Sequence, residues 1–518
     1  MPPDFMASAP TLVLPRRRVM ALWAGLAMGM VVCSYVFIIC LAAACVYGPY
    51  LLVIAAPNLN TVVLLLFGVV MGAAMLWSLV PRRDKFEPPG PLLERAAHPR
   101  LFMELDALAL ALKEDPPAEV YIVPQANAFV IDRGGILGYG SRRVMGLGLP
   151  LLGVLTVSEF RAVLAHEFAH YYGGDTRLGP WVYKTRMAMV RAMENLASMG
   201  QYVRWALAKV AYMIIMWVLE AYWKLFFWCT QLVSRRQEYR ADELAGYIAG
   251  PAALSEGLKK VNAAGAAFPA FWNSEIAPAL VEGLRLPICE GFSQFVTSPG
   301  VSKNIEEFLV KLIAESKVEA YDSHPPLKDR LSALATAPVR AAEAQDQRLA
   351  ASLFDRLEDE ENRILAMAVD GINPAALRLV AWQDRAAAMT LSWMDQVRRH
   401  AAILGDANPE SLPQALQNVA AMGAGMPDPP GTLLTHEQRA GRAVNLLAVC
   451  LALSFFKAGW ELRVKPGENH FQSGNQRVSI NEIMLELVHK KITPQDWTAR
   501  CREMRLPNQR FVDLVAQG

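Results

Sequence analysis

The sequence predicts a mainly α-helical protein with a small β-sheet. A two-helix transmembrane hairpin precedes that part and a mostly helical C-terminal domain follows it. Three observations lead there: an uncharged apolar segment near the N-terminus, short strand-like runs between 119 and 149, and helical stretches from Thr156 on. The 518 residues amount to about three domain-sized units. With 53% hydrophobic and 19% charged residues the chain is not intrinsically disordered, and it is more apolar than an ordinary soluble protein. A net charge of +2 offers no whole-chain case for a nucleic-acid partner. Seven cysteines, an odd count with no CxxC pair, do not form a disulfide scaffold and fit a reducing, intracellular setting.

From Val19 to Val80 there is no Asp, Glu, Lys, Arg or His. Outside that segment the charged fraction rises to about 22%, close to a globular average, so the excess apolarity is local. The run breaks between Gly48-Pro49 and Asn60, which predicts spans of about 23–47 and 61–80 joined by a short turn. Arg16, Arg17 and Arg18 precede the first span; Arg82, Arg83 and Lys85 follow the second. The positive-inside rule then puts both termini and all that follows in the cytoplasm, at the inner membrane if the source is bacterial.

Pro88 to Pro91 reads as a linker off the membrane, and 92–113 as a helix. Strands are expected at Glu119–Val123, Asn127–Asp132 and Arg142–Leu149. A helix begins at Thr156, where Thr156 and Glu159 fit a capping box, and ends at Gly173-Gly174. Two more helices are expected over 180–200 and 203–233, and the chain beyond 335 is mostly helical. Ala443–Phe456 is too short an apolar run for a span and reads as a buried core helix.

The helix from Thr156 contains His166-Glu167-Phe168-Ala169-His170. Histidines at i and i+4 share a helical face, so both can reach one ion, and Glu167 lies between them, within reach of a water that the metal activates. A catalytic zinc needs a third protein ligand and one open position. Glu238 and Asp242 share a face further along the chain. Glu238 offers that ligand, and Asp242 offers a partner that fixes the tautomer of a ligating histidine. A solvated helix face is the alternative meaning of this pair.

Four stretches resemble the HtpX-like branch of the HExxH zinc metallopeptidases, the group that also contains the CAAX prenyl endopeptidases. They are Asn127-Ala128-Phe129, Ala165 to His170 followed by Asp175, Ser234-Arg235 to Asp242, and Ser323-His324-Pro325-Pro326 followed by Arg330. Their order and the preceding hairpin match as well, over roughly 19–335. The resemblance implies an α+β zincin-like catalytic domain binding one Zn2+ through His166, His170 and Glu238, with Glu167 as general base. It also implies Asn127, Ala128 and Phe129 as an edge strand beside the active site. His324 is the candidate oxyanion donor, and Arg235 or Arg330 the clamp on Asp242 or Asp175.

The resulting organisation is a tail over 1–18, the hairpin over 19–80, a metalloprotease domain over 81–335 and a C-terminal domain of unassigned role over 336–518. Between His170 and Glu238 the apolar stretch Ala211–Leu219 is bracketed by Lys209 and Glu220. The insert, 176–233, is therefore expected to make no complete crossing, and to lie at the interface or in the core. The expected function is a membrane-anchored zinc endopeptidase acting on polypeptides in membrane or cytoplasmic quality control. The alternatives are a CAAX-type processing protease and a non-catalytic scaffold that keeps the zinc fold. The bilayer is the expected second partner, and 336–518 is open to a regulatory partner or to self-association.

Overall fold

The computed structural model describes residues 17–80, 86–133, 142–171, 179–200, 206–314, 325–337, 345–369, 371, 373–428 and 434–515. The chain packs as two compact units, 1–263 with 308–360, and 264–307 with 361–518. The division does not follow the boundary expected at 335, because residues 345–354 pair with the start of the HExxH helix. Val157 N–H donates to the Arg348 carbonyl at 2.7 Å and Ala350 N–H to that of Leu155 at 2.9 Å.

The hairpin consists of α1 (Arg17–Ala55) and α2 (Leu59–Leu79). The first helix runs on through Gly48-Pro49, where the sequence suggests a break, and only Ala56–Asn58 make the turn. Pro49 has no N–H to offer the Cys45 carbonyl four residues back, a defect that usually bends or stops a helix. Here Gly68 of α2 packs directly on that carbonyl: a Cβ at 68 would lie 1.9 Å from the Cys45 oxygen. One turn on, a Cβ at Gly72 would lie 3.0 Å from the Ala42 oxygen. This Gly-x-x-x-Gly step lets two backbones approach as small residues do in membrane helix pairs. Asn58 and Thr61 form the capping box that starts α2.

Helix α3 (Pro99–Leu112) leads into β1 (Glu119–Val123), β2 (Ala128–Arg133) and β3 (Arg142–Gly148). The sheet order is β1-β3-β2, with β1 parallel and β2 antiparallel to β3, so β2 is an edge. A short helix, α4 (Leu149–Leu152), connects to α5 (Val157–Ala169), which opens with the expected Thr156–Glu159 capping box. The expected end of this helix, Gly173-Gly174, lies outside the described residues. Three charged contacts fix α5: Arg161 with Glu104 of α3 through two bonds of 2.9 Å, and Lys260 with Glu159 at 2.7 Å.

The insert consists of α6 (Gly179–Gly200) and α7 (Ala206–Ala249). Both pack on the hairpin: Ile38, Met71, Met75, Met189, Ala192, Leu196, Leu219 and Phe226 form one buried cluster. Phe37 stacks on Tyr222 at 3.9 Å, and Arg191 donates to the Ser78 carbonyl at 3.1 Å. The apolar part of the insert is longer than the nine residues Ala211–Leu219 that the sequence suggests. A single unbroken helix, α7, is long and apolar enough to cross a membrane, as α1 and α2 are. Glu220, taken as the end of the apolar stretch, pairs with Lys224 at 2.7 Å, one turn along the same face, and the apolar surface continues past them. Trp217, 69% exposed, and Trp228 project outward from this helix.

In the second unit the helix His436–Lys457 is also long and apolar enough to cross a membrane. Its Leu446, Leu447, Cys450, Leu451 and Phe455 are buried in a core with Trp460, Phe471, Trp497 and Phe511. A three-stranded antiparallel meander, Glu461–Lys465, Glu468–Ser473 and Gln476–Val478, covers that core. All seven cysteines are free thiols.

Candidate metal centre

Two helices build the site. His166, Glu167 and His170 close the C-terminal turn of α5, and Glu238 and Asp242 occupy successive turns of α7. His166, Glu238 and Asp242 are buried, whereas Glu167 and His170 are half-buried. The two imidazole Nε2 atoms stand 3.2 Å apart. The Glu238 carboxylate lies 3.5 Å from each of them. Ligand bonds of about 2.0–2.1 Å in a tetrahedral arrangement imply donor separations of about 3.3 Å, so these three donors fit one zinc ion. The donor set has two neutral nitrogens and one carboxylate oxygen, as in catalytic His2Glu sites.

Around the donors sits a tighter layer. Asp242 lies 2.9 Å from His166 Nδ1, which leaves Nε2 turned toward Glu238. Arg330, on the helix Leu327–Ala335, grips Asp242 through Nε at 2.8 Å and Nη2 at 2.6 Å. Burial works against a charge on Asp242, but the hydrogen bonds from Arg330 and His166 outweigh it and hold its pKa below the usual carboxylate range. Burial likewise works against a proton on His166. The hydrogen bonds to Asp242 and Glu238 prevail and push its pKa up to about 9. The pocket is thus built to receive positive charge: Glu167, Glu238 and Asp242 act on His166 against the opposing charge of Arg330.

The structure therefore gathers His166, His170, Glu238, Asp242 and Arg330 into one cluster, with Glu167 beside it. Arg235 is half-buried one turn before Glu238 on α7; the grip on Asp242 comes from Arg330. Asn127 lies exposed just ahead of the edge strand, Ala128 is buried and Phe129 half-buried. Gly146 on β3 makes room for the Phe129 ring, since a Cβ there would fall 2.3 Å from it. His324 and Asp175 lie outside the described residues. One neighbour was not singled out from the sequence. Tyr171, next after the motif, is buried beneath the Arg143 guanidinium, which lies 4.0 Å from its ring. Burial, then the charge of Asp132, raises its pKa, so the phenol stays protonated. Nothing in its spacing marks it; only the contact with Arg143 of β3 does.

Residues 99–337, which contain every member of this cluster, match Peptidase family M48. Over those residues the chain is similar to that peptidase family. Among curated proteins the chain is similar to Protease HtpX of Pseudomonas putida strain GB-1, at 25% identity over 231 residues, covering 42% of this chain and 64% of the relative. It is similar to Protease HtpX of Xylella fastidiosa strain M12, at 30% over 238 residues, covering 42% and 66%. The Protease HtpX homolog of Desulfatibacillum aliphaticivorans is 26% identical over 229 residues, covering 42% and 63%. The chain thus spans just under two thirds of the length of the relatives it matches. No solved structure matches. The M48 match ends at 337, so most of the second unit lies beyond it.

Proposed function

We propose that this chain is a membrane-anchored zinc endopeptidase that cleaves polypeptides at the membrane surface or in the cytoplasm, in protein quality control. The observation that carries the reading is the convergence of His166, His170 and Glu238, whose donor atoms all lie within 4.8 Å of one another. These three residues would hold the ion. When bound, zinc supplies a Lewis acid that lowers the pKa of a water and polarises the scissile carbonyl.

The remaining work falls to the chain. Glu167, between the two histidines, takes the proton of the attacking water and passes it to the leaving amine. Asp242 holds His166 in the tautomer that leaves Nε2 free, and Arg330 keeps Asp242 ionised and in place. His324 is the proposed donor to the tetrahedral oxyanion. It precedes the helix of Arg330 by three residues, and Arg330 itself stands in the cluster. The edge of β2 pairs with no other strand among the described residues, which suits a substrate added as a further strand along Asn127, Ala128 and Phe129. Asp175 and Arg235 are proposed as supporting groups.

The anchor is α1, α2 and the α6–α7 pair packed against them. His170 and Glu238 meet in one site, so the segment between them begins and ends on one side of the bilayer. The flanking Arg82, Arg83 and Lys85 make that side the cytoplasm. Purified wild-type protein is expected to hold one zinc per chain, and His166→Ala to lose it with the helical content unchanged. Wild-type protein that folds and binds no zinc when the metal is supplied would end this reading.

A further inference from the structure

The second unit contains a cleft of its own, about 610 Å3, within the size range of small-molecule sites. Its walls come from the helix Arg385–Arg399, the helix His436–Lys457, the segment 281–284 and Arg378. The floor is apolar: Leu284, Ala388 and Leu446 are buried. The rim is apolar as well, with Val281 89% and Leu391 60% exposed. Large aliphatic side chains this open, set around an apolar floor, mark a surface that gains by being covered.

The charged groups in the cleft are arranged unevenly. Arg399 is taken up by Asp395 at 2.7 Å, and Glu282 by the buried Arg385 at 2.6 Å. Arg378 and Arg442 line the same cleft, and the charge of Arg442 also acts on Asp428, which Arg439 holds. Arg442 uses one N–H on the Pro427 carbonyl at 2.8 Å and retains the rest of its fork. His400 donates from Nδ1 to the Gln396 carbonyl at 2.9 Å, which fixes its ring in the wall. The guanidinium groups of Arg378 and Arg442 beside an apolar floor complement one anionic group on an apolar body. The two carboxylates already lining the cleft disfavour a multiply charged anion such as phosphate.

We infer that this cleft binds a small amphipathic carboxylate, its head on Arg378 and Arg442 and its apolar body over Leu284 and Leu446. Two sources share this chemistry: an acyl chain with a free acid, and the C-terminus of a short apolar peptide. The inference does not depend on the metal centre.

The test is calorimetric titration of the detergent-purified full chain with octanoate, N-acetyl-leucyl-leucine, its C-terminal amide and inorganic phosphate. At least one of the two acids is expected to bind and the amide not to; the acid that binds more tightly identifies the source. Arg378→Gln combined with Arg442→Gln should weaken binding at least about tenfold. Ser392→Trp, which fills the cleft without touching a charge, should abolish binding at unchanged helical content; it keeps the inference testable if the double variant does not fold. The inference is overturned if neither acid binds up to about 10 mM. It is equally overturned if the amide or phosphate binds as well as the acids, or if the variants bind like wild type.

Discussion

Asp242 is the residue whose removal should reveal most about how the centre is built. It is 1% exposed, and it engages His166 Nδ1 at 2.9 Å and Arg330 twice, at 2.8 and 2.6 Å. Asp242→Ala leaves a buried guanidinium facing a gap and frees the His166 ring. Removing one partner of a buried pair costs about 3–5 kcal/mol, and losing the group behind a metal-binding histidine costs about 10–100-fold in affinity. The two effects separate in a double variant. In Asp242→Ala with Arg330→Met the stranded charge is gone, so much of the lost stability should return. Zinc affinity should stay low, because the His166 ring is still loose. The assays are thermal unfolding in detergent and zinc competition against a chromophoric chelator. Equal stability of the single and double variants would refute the claim that a stranded Arg330 dominates the loss. Near wild-type zinc affinity in both would refute the orienting role of Asp242.

Other predictions are more local. Gly68→Leu places side-chain atoms where a Cβ alone would meet the Cys45 oxygen at 1.9 Å, so the hairpin must separate. A loss of about 1–3 kcal/mol is expected, read as a lower unfolding temperature in detergent. Glu275 sits on the π-helical turn Trp272–Ile276 and accepts a hydrogen bond from Gly467 N at 3.1 Å. Burial raises its pKa, so its folded form holds a proton that the unfolded chain has lost. The stability it contributes is therefore complete below its ordinary value of 4.5 and falls as pH rises through its raised one. Glu275→Gln should flatten that decline in a pH series of unfolding measurements. Ser158→Ala removes the hydroxyl that accepts from Asp346 N at 2.8 Å. It should loosen the 345–354 segment, measured as faster hydrogen exchange at Arg348 and Ala350.

Much of the centre was legible because its ligands obey helical spacing. His166 and His170, and Glu238 and Asp242, are i,i+4 pairs, and local geometry alone puts each pair on one face. The capping box at Thr156 and the three strands were readable for the same reason, to within a residue or two at their ends. What was not legible depends on distant contacts. Pro49 reads as a helix stop, and only the approach of Gly68 nineteen residues later lets α1 continue. Glu220 reads as the end of an apolar run, until Lys224 answers it one turn on. The limit at 335 follows the end of the family resemblance, whereas the first unit takes in residues to 360, with Arg348 and Ala350 hydrogen-bonded to the start of α5. Arg330 was named with two candidate partners and Arg235 as a rival; choosing among them required the fold.

On the proposed function, one metal ion at His166, His170 and Glu238 and one carboxylate at Glu167 together cleave peptide bonds. The most direct measurement follows casein cleavage by the purified full chain through chelation and zinc return, beside Glu167→Gln at equal zinc content. The predicted result is activity lost to chelator and restored by zinc in the wild type. In the zinc-loaded Glu167→Gln protein a loss of about 10²–10⁴-fold is predicted. Cleavage that survives complete zinc removal, or a Glu167→Gln protein as active as wild type, would contradict it.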